Sequence, residues 1–446
     1  MAGSILAVPT DIENQCTQLE TLMMEELDNM FPLSPLRCIY RVPDRLRCAR
    51  EEAYTPRVIS IGPLHHGKEA LKAMEVHKKR YLQYFMGRTN LSLKHYIRKI
   101  KDQEAKLRSC YPDTIVLKSE EFVKIILVDV IFLIEFLFRY YGYPNLVDEN
   151  DCICGKPRMV EDVRPDLQML ENQLPFFILE DLFDPDMFSV PSEYSNRLRL
   201  YGVERLSILY LSSYFLTDGE SLYGMLNNLE TIYSSEVEVQ HFVDLLRKLC
   251  IAPLLKKQSV QRGKLPTTSP SIEELHLAGV KFKVGSTKNL FDIRFQDGIL
   301  EIPKLEIADS TELILRNLVA FEQCTFEEFY ISDYISIMGE FVDTPKDVKL
   351  LVEYKIVENY LGGGDIELST MINSLSTGIR FNARNFHYGT LCEELNKFCS
   401  SKWHKSKANL RHNYFNTPWA TISFVAAFLL LILTAIQTIC SIISLY

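Results

Sequence analysis

Glu120-Glu121-Phe122-Val123-Lys124-Ile125-Ile126-Leu127-Val128-Asp129-Val130-Ile131-Phe132-Leu133-Ile134-Glu135-Phe136-Leu137-Phe138-Arg139-Tyr140-Tyr141 is long and apolar enough to be taken for a membrane span. Its charges argue otherwise. Lys124, Asp129, Glu135 and Arg139 interrupt it every few residues, and each would be costly inside lipid. The stretch therefore reads as a core helix buried in protein. Upstream, Ile12, Cys16, Leu19, Met23, Leu27 and Met30 recur at spacings of three and four. Asp11 to Met30 thus reads as an amphipathic helix behind a Thr10–Glu13 capping box, closed by a turn over Phe31 to Pro35. Downstream, Asp166 to Leu182 reads as a second apolar helical region, broken or restarted at Pro175, whose nitrogen cannot donate to the helical ladder.

Tyr143 to Asp162 and Lys256 to Ser271 read as surface loops, the second dividing an N-terminal from a C-terminal half. In the latter, Val280 to Val284, Leu290 to Phe295 and Ile299 to Pro303 alternate apolar and polar residues, with Asp297-Gly298 as a hairpin turn, which predicts a small antiparallel sheet. Helices resume at Thr311 behind an Asp309–Glu312 capping pair, and again after Thr344-Pro345, a cap followed by proline in the first turn. The fold class is mainly α in an α+β arrangement: a large helical body with a small antiparallel β-sheet, plus one C-terminal transmembrane helix. The expected boundaries are residues 1–36 for the N-terminal helix and turn, 37–411 for the body and 412–446 for a membrane anchor.

That anchor is the strongest functional signal. No charged side chain occurs from Asn413 to Tyr446, and Ala420 to Leu445 is dominated by Ile, Leu, Phe, Val and Ala, enough at about 1.5 Å per residue to cross a hydrocarbon core of about 30 Å. Thr417 can cap the helix, Pro418 suits its first turn and Trp419 sits at interfacial depth; Phe424, Phe428 and Leu431 would face lipid, and Gln437 would seek a partner helix. Lys397, Lys402, Lys405, Lys407 and Arg411 precede the span without an intervening Asp or Glu, and nothing basic follows it. The positive-inside bias then places the body in the cytosol, with the basic flank against anionic headgroups; a solvated helix face is the plainer alternative. The N-terminus has no secretory signal pattern, so glycosylation of the Asn90-Leu91-Ser92 sequon is not expected.

Composition narrows the function further. A chain of 446 residues, 47% hydrophobic and 24% charged, can bury a sizeable core, and a formal charge of −9 argues against nucleic-acid binding. The 11 cysteines, scattered from Cys16 to Cys440, suggest reduced thiols rather than a disulfide framework. Gly62 to Lys68 has the GxxxxGK spacing of a phosphate-binding loop, but Glu69 stands where magnesium needs Ser or Thr, and Pro63 removes a backbone donor. His65, His66 and His77, or Cys152 and Cys154, lack companions at metal-binding spacing. Glu171, Asn172 and Gln173 lie between apolar runs; with Asp129 and Glu135 they read as a buried structural polar network, and no nucleophile accompanies them. No catalytic, cofactor or metal residue is assigned.

Several motifs together resemble one family: Tyr40-Arg41-Val42-Pro43, Tyr54-Thr55-Pro56, Ile59-Ser60-Ile61-Gly62-Pro63-Leu64-His65-His66-Gly67-Lys68 and Lys78-Lys79-Arg80-Tyr81-Leu82. They continue through Met169-Leu170-Glu171-Asn172-Gln173-Leu174-Pro175-Phe176-Phe177, Ala278-Gly279-Val280, Arg316-Asn317-Leu318 and Pro418-Trp419. Spanning nearly the whole chain, they resemble the plant-specific domain of unknown function 247. The resemblance implies a plant membrane protein without an established activity, in a family where some grass members are associated with pollen self-incompatibility. It offers no catalytic residues. The expected function is a single-pass, plasma-membrane, non-enzymatic interaction or recognition component with an unidentified protein partner. The competing expectation is a membrane-bound hydrolase or transferase acting on lipid-derived or small-molecule substrates, which requires a deep apolar pocket containing the polar residues named above.

Overall fold

The computed structural model describes residues 10–28, 35–112, 115–142, 151–187, 206–217, 232, 238–255, 263–264, 268–287, 289–326, 328–382, 384–400 and 418–443. Its helices in chain order are α1 (Thr10–Asp28), α2 (Asp44–Arg47), α3 (Lys72–Arg88), α4 (Leu93–Asp102), α5 (Glu104–Ser109), α6 (Ser119–Tyr141), α7 (Pro157–Leu167), α8 (Phe176–Leu182) and α9 (Ile208–Thr217). They continue with α10 (Phe242–Leu255), α11 (Ile272–Ala278), α12 (Asp309–Thr325), α13 (Tyr330–Phe341), α14 (Pro345–Glu353), α15 (Gly364–Leu375), α16 (Gly389–Ser400) and α17 (Pro418–Ile443). Five short strands intervene: β1 (Lys281–Val284), β2 (Arg294–Gln296), β3 (Ile299–Ile302), β4 (Leu305–Ile307) and β5 (Val357–Asn359).

Helix α6 is the axis of the N-terminal half. Glu120 and Glu121 in its first turn and Arg139 in its last complement the helix dipole, and it contains neither Gly nor Pro. Of its 23 residues 18 are buried, the signature of a helix enclosed on all sides by protein. Helices α3, α4, α8 and α9 surround it. Phe132, Phe136 and Phe215 form an aromatic column, with ring centroids 5.5 Å apart for the first pair and 5.1 Å for the second. Helix α12 plays the same part in the C-terminal half, packing against α10, α13 and α15, and it also meets α7 and the 3₁₀ turn Glu51–Tyr54. Through it one hydrophobic core runs continuously from Val42 to Leu395.

The Asp297-Gly298 turn forms as the sequence predicts: both residues have positive φ, 52° and 75°, which joins β2 and β3 as an antiparallel pair. The expected all-antiparallel sheet is corrected to a mixed one. β1 lies on the other side of β3 and runs parallel to it, in the order β1-β3-β2. β4 and β5 form a second, parallel pair. Leu290 to Phe295 is strand only from Arg294 onward. Thr344 and Pro345 open α14 as expected; the Asp347 carboxylate accepts from the Thr344 N–H at 2.8 Å and from its hydroxyl at 2.9 Å. The opening of α12 differs from the expected Asp309–Glu312 pair. The Ala308 N–H donates to Thr311 Oγ1 at 3.0 Å, and Glu312 turns to Arg316 at 2.8 Å.

Two further expectations are revised. Between α7 and α8, residues 168–175 are not helical, because Glu171, Asn172 and Gln173 bond to backbone elsewhere in the fold. The supposed surface loop 143–162 is helical from Pro157, and Asp151, Ile153 and Cys154 within it are buried. Asp151 anchors that turn, accepting from the Ile153 and Cys154 N–H groups at 2.9 Å each and from the Tyr81 hydroxyl at 2.8 Å.

Candidate functional site

The segment Arg57 to Gly62, buried from Ile59 onward, runs beside residues 166–173, and buried side chains serve its backbone. Asp166 takes three N–H groups: Arg57 at 3.0 Å, Val58 at 2.7 Å and Ile59 at 2.8 Å. Asn172 reads the next step in both directions, its Oδ1 accepting from the Ile61 N–H at 2.7 Å and its Nδ2 donating to the Ile59 carbonyl at 3.0 Å and the Asp166 carbonyl at 2.9 Å. Asp129, projecting from α6, takes the Gly62 N–H at 2.8 Å. Such satisfaction is what lets an irregular segment with no sheet neighbour lie inside a protein.

Lys78 completes the cluster. It is 0% exposed, yet its Nζ is 2.5 Å from Asp129, 2.5 Å from Glu75 and 2.8 Å from the Ser60 carbonyl. Burial alone would lower its pKa, but Asp129 and Glu75 outweigh burial and raise it, so the ammonium stays charged. Burial raises the Asp166 carboxyl against the pull of its three N–H donors. Gln173 ties the loop to α10, donating to the Leu167 and Met169 carbonyls at 2.8 Å each and accepting from the Phe242 N–H at 2.9 Å.

Glu171 faces the other way. It accepts from the Val42 N–H at 2.7 Å and from Arg41 at 3.2 Å, and it pairs with Arg47. His65 is buried with its Nε2 3.6 Å from Glu171; burial, then Lys68, Arg41 and Arg47, lower its pKa to about 3. Glu135 belongs to a separate group, with Arg139 at 2.7 Å and Arg88 at 3.2 Å, and Arg139 continues to Asp151 at 2.9 Å. The structure therefore brings Asp129, Asn172 and Gln173 together around Gly62, sets Glu171 on the adjoining face and leaves Glu135 in a different cluster.

Sequence reasoning missed Lys78, Asp166 and Asn317. Asn317 accepts from the Leu170 N–H at 2.9 Å and donates to the Ala53 carbonyl at 2.8 Å, joining α12 to the same loop. A signal existed for Lys78, because it lies on the stripe Met74, Lys78, Tyr81, Phe85 whose other members are apolar and buried. Gly62 is also part of the site. Its φ is +73°, and a Cβ there would stand 2.6 Å from the Gln173 carbonyl oxygen and 3.0 Å from Tyr111 Oη. Gly62→Ala is expected to cost about 2–4 kcal/mol by denaturant unfolding, from the left-handed backbone and overpacking together. Gly67→Ala is the control, with φ +83° but nothing within 4 Å, and carries only the backbone cost of about 1–2 kcal/mol.

No group of three or more His, Cys, Asp or Glu among the described residues could hold a metal ion. The Gly62 N–H is already engaged with Asp129, so it cannot serve the Gly62 to Lys68 turn as a phosphate donor. A cleft of about 390 Å³ lies elsewhere, lined by Ser269, Glu273, Glu274, Glu340, Asp343 and Asp347 among others. It contains none of Asp129, Glu135, Glu171, Asn172 and Gln173. In α17, Trp419, Phe424, Phe428, Leu431 and Gln437 fall within one continuous helix, and Phe424, Phe428 and Leu431 are 39%, 57% and 69% exposed. Its Ile422–Ile439 window has mean hydropathy 2.4 with 0% of it buried, long and apolar enough to cross a membrane. Lys397 is exposed near the end of α16; Lys402, Lys405, Lys407 and Arg411 lie outside the described residues.

A family model described as "Plant protein of unknown function", DUF247, matches residues 39–433. The chain belongs to the DUF247 family. The match takes in the 57–62 segment, the loop that clamps it and most of α17. Two curated relatives, both of Arabidopsis thaliana, are similar over most of their length. The UPF0481 protein At3g47200 is 26% identical, covering 91% of this chain and 86% of its own. The putative UPF0481 protein At3g02645 is 24% identical, covering 90% of this chain and 89% of its own. No solved structure matches this DUF247 chain.

Proposed function

We propose that this protein is a single-pass, membrane-anchored, non-enzymatic interaction component whose helical body is presented on the cytosolic face of the plasma membrane. The observation that carries the reading is α17: an uninterrupted apolar helix whose Ile422–Ile439 window has 0% of its residues buried, which in water would expose a large apolar surface. The basic residues before it, Lys397 to Arg411, support the cytosolic orientation and contact with anionic lipid. The body supports a scaffold role, since Asp129, Asp166, Glu171, Asn172 and Gln173 spend their polar atoms on backbone and on basic partners. The membrane-enzyme alternative calls for those residues in an apolar pocket, whereas the cleft at Glu273 and Glu340 is lined by other, mainly acidic, groups.

Full-length protein is expected to remain in the membrane pellet after alkaline carbonate extraction, and a chain ending after Asn413 to be released. Asn90 is expected to carry no sugar. A full-length chain washed out by carbonate would remove the anchor, and glycosylated Asn90 would reverse the orientation. Partner capture with both chains then tests the interaction role; turnover of a small molecule by the purified protein would defeat the non-enzymatic reading.

A further inference from the structure

The chain enters the body through Cys38, which meets the end of α5 at Cys110. The Cys38 and Ile39 N–H groups both donate to the Cys110 carbonyl, at 3.1 and 3.0 Å. Two residues bonded backbone to backbone in this way lie within reach of the roughly 4.4–6.8 Å Cα separation that a disulfide spans. Their thiols lie close enough to interact with each other, the Cys110 thiol donates to the Lys106 carbonyl at 3.3 Å, and both side chains are reduced. The pair forms its own small apolar cluster with Ile39 and Tyr111, apart from the main core and flanked by the partly buried Leu64 and Phe177.

We propose that Cys38 and Cys110 are a peroxide-sensitive dithiol that closes to a disulfide, riveting the entering segment to the end of α5. Cys110 is the attacking sulfur. The adjoining Cys38 thiol and the nearby Lys106 ammonium lower its pKa against burial, while burial raises Cys154 and Cys250 to about 12 and Cys324, Cys392 and Cys399 to about 11. The Cys110 thiolate attacks one peroxide oxygen, the O–O bond breaks, and hydroxide leaves to take up the thiol's proton as water, giving a sulfenic acid. The Cys38 sulfur then attacks that sulfur, the S–O bond breaks, and a second water carries away the Cys38 proton. Two thiols and one hydrogen peroxide thus yield one disulfide and two waters.

The test uses the full chain, reduced in detergent, exposed to stoichiometric hydrogen peroxide, alkylated, digested and mapped by mass spectrometry. The Cys38–Cys110 peptide pair, lighter by two hydrogens and restored by dithiol reductant, is expected to exceed any other cysteine pair by about ten-fold. The melting temperature is expected to rise on oxidation and return on reduction. Cys38→Ser should trap the sulfenic acid at Cys110, where dimedone labels it. The mapping of the native chain decides without any variant: if Cys110 stays alkylatable while the exposed Cys16 or Cys48 is oxidised, the proposal is overturned.

Discussion

Asp129→Ala is expected to destabilise the protein by about 3–5 kcal/mol, measured by denaturant unfolding of the full chain in detergent. The carboxylate is 1% exposed and holds two things that cannot find water in its absence, the Lys78 ammonium at 2.5 Å and the Gly62 N–H at 2.8 Å. Glu75 would remain beside Lys78, but it is partly exposed, and the Gly62 N–H is held by Asp129. The charge and the backbone donor can be separated. Lys78→Met combined with Asp129→Leu removes the buried ion pair as a unit, and should regain the part of the loss due to an isolated charge. It should retain about 1–3 kcal/mol from the orphaned N–H. A loss below about 1 kcal/mol for the single variant would mean that the cluster is far wetter than its burial indicates.

The second large effect is acid sensitivity centred on His241. The ring is 0% exposed, with Nε2 2.9 Å from the Cys38 carbonyl and Nδ1 3.2 Å from the Asp244 N–H. Since the Asp244 N–H can only donate, Nδ1 must be bare and Nε2 must carry the proton. Burial lowers the pKa from 6.5 to about 4, against the opposing pull of Asp244 and the Cys38 carbonyl and with a smaller push from Lys248. A folded-state value below the unfolded one means that the unfolded chain binds the extra proton. His241 therefore contributes stability that is complete above about pH 6.5 and disappears as pH falls toward 4. Between pH 7 and pH 5 the loss is about 2 kcal/mol. Buried carboxyls whose pKa values burial raises, Asp129, Asp166 and Glu322, oppose this trend, so the comparison is with His241→Gln, in which they are unchanged and cancel. The stability difference between the native chain and this variant should shrink by about 2 kcal/mol over that range; a pH-independent difference would refute the assignment.

The features legible in the sequence were those whose cause is local. Charges at Lys124, Asp129, Glu135 and Arg139 were enough to separate a core helix from a membrane span, and their absence after Asn413 marked the other apolar helix. Thr344-Pro345 and Asp297-Gly298 carry their geometry in adjacent residues. What stayed hidden depends on distant partners. β1 alternates like an edge of a hairpin, and nothing in Lys281 to Val284 tells that it runs parallel to β3. Glu171, Asn172 and Gln173 stood out as polar residues between apolar runs, but besides nearby carbonyls they serve atoms of the distant residues 42, 59, 61 and 242. Asp129 and Glu135 share a helix and still enter different clusters, since six residues advance the chain by about 9 Å along the axis and to another face.

Asn317 in α12 bridges the Ala53 carbonyl and the Leu170 N–H, so a side chain from the last third of the polypeptide completes hydrogen bonds for groups in its first half. During synthesis, the early segments must wait for α12 to leave the ribosome before their interior is closed. The body is then expected to mature late and in one step, and chains stopped before Asn317 to depend on chaperones for as long as they last.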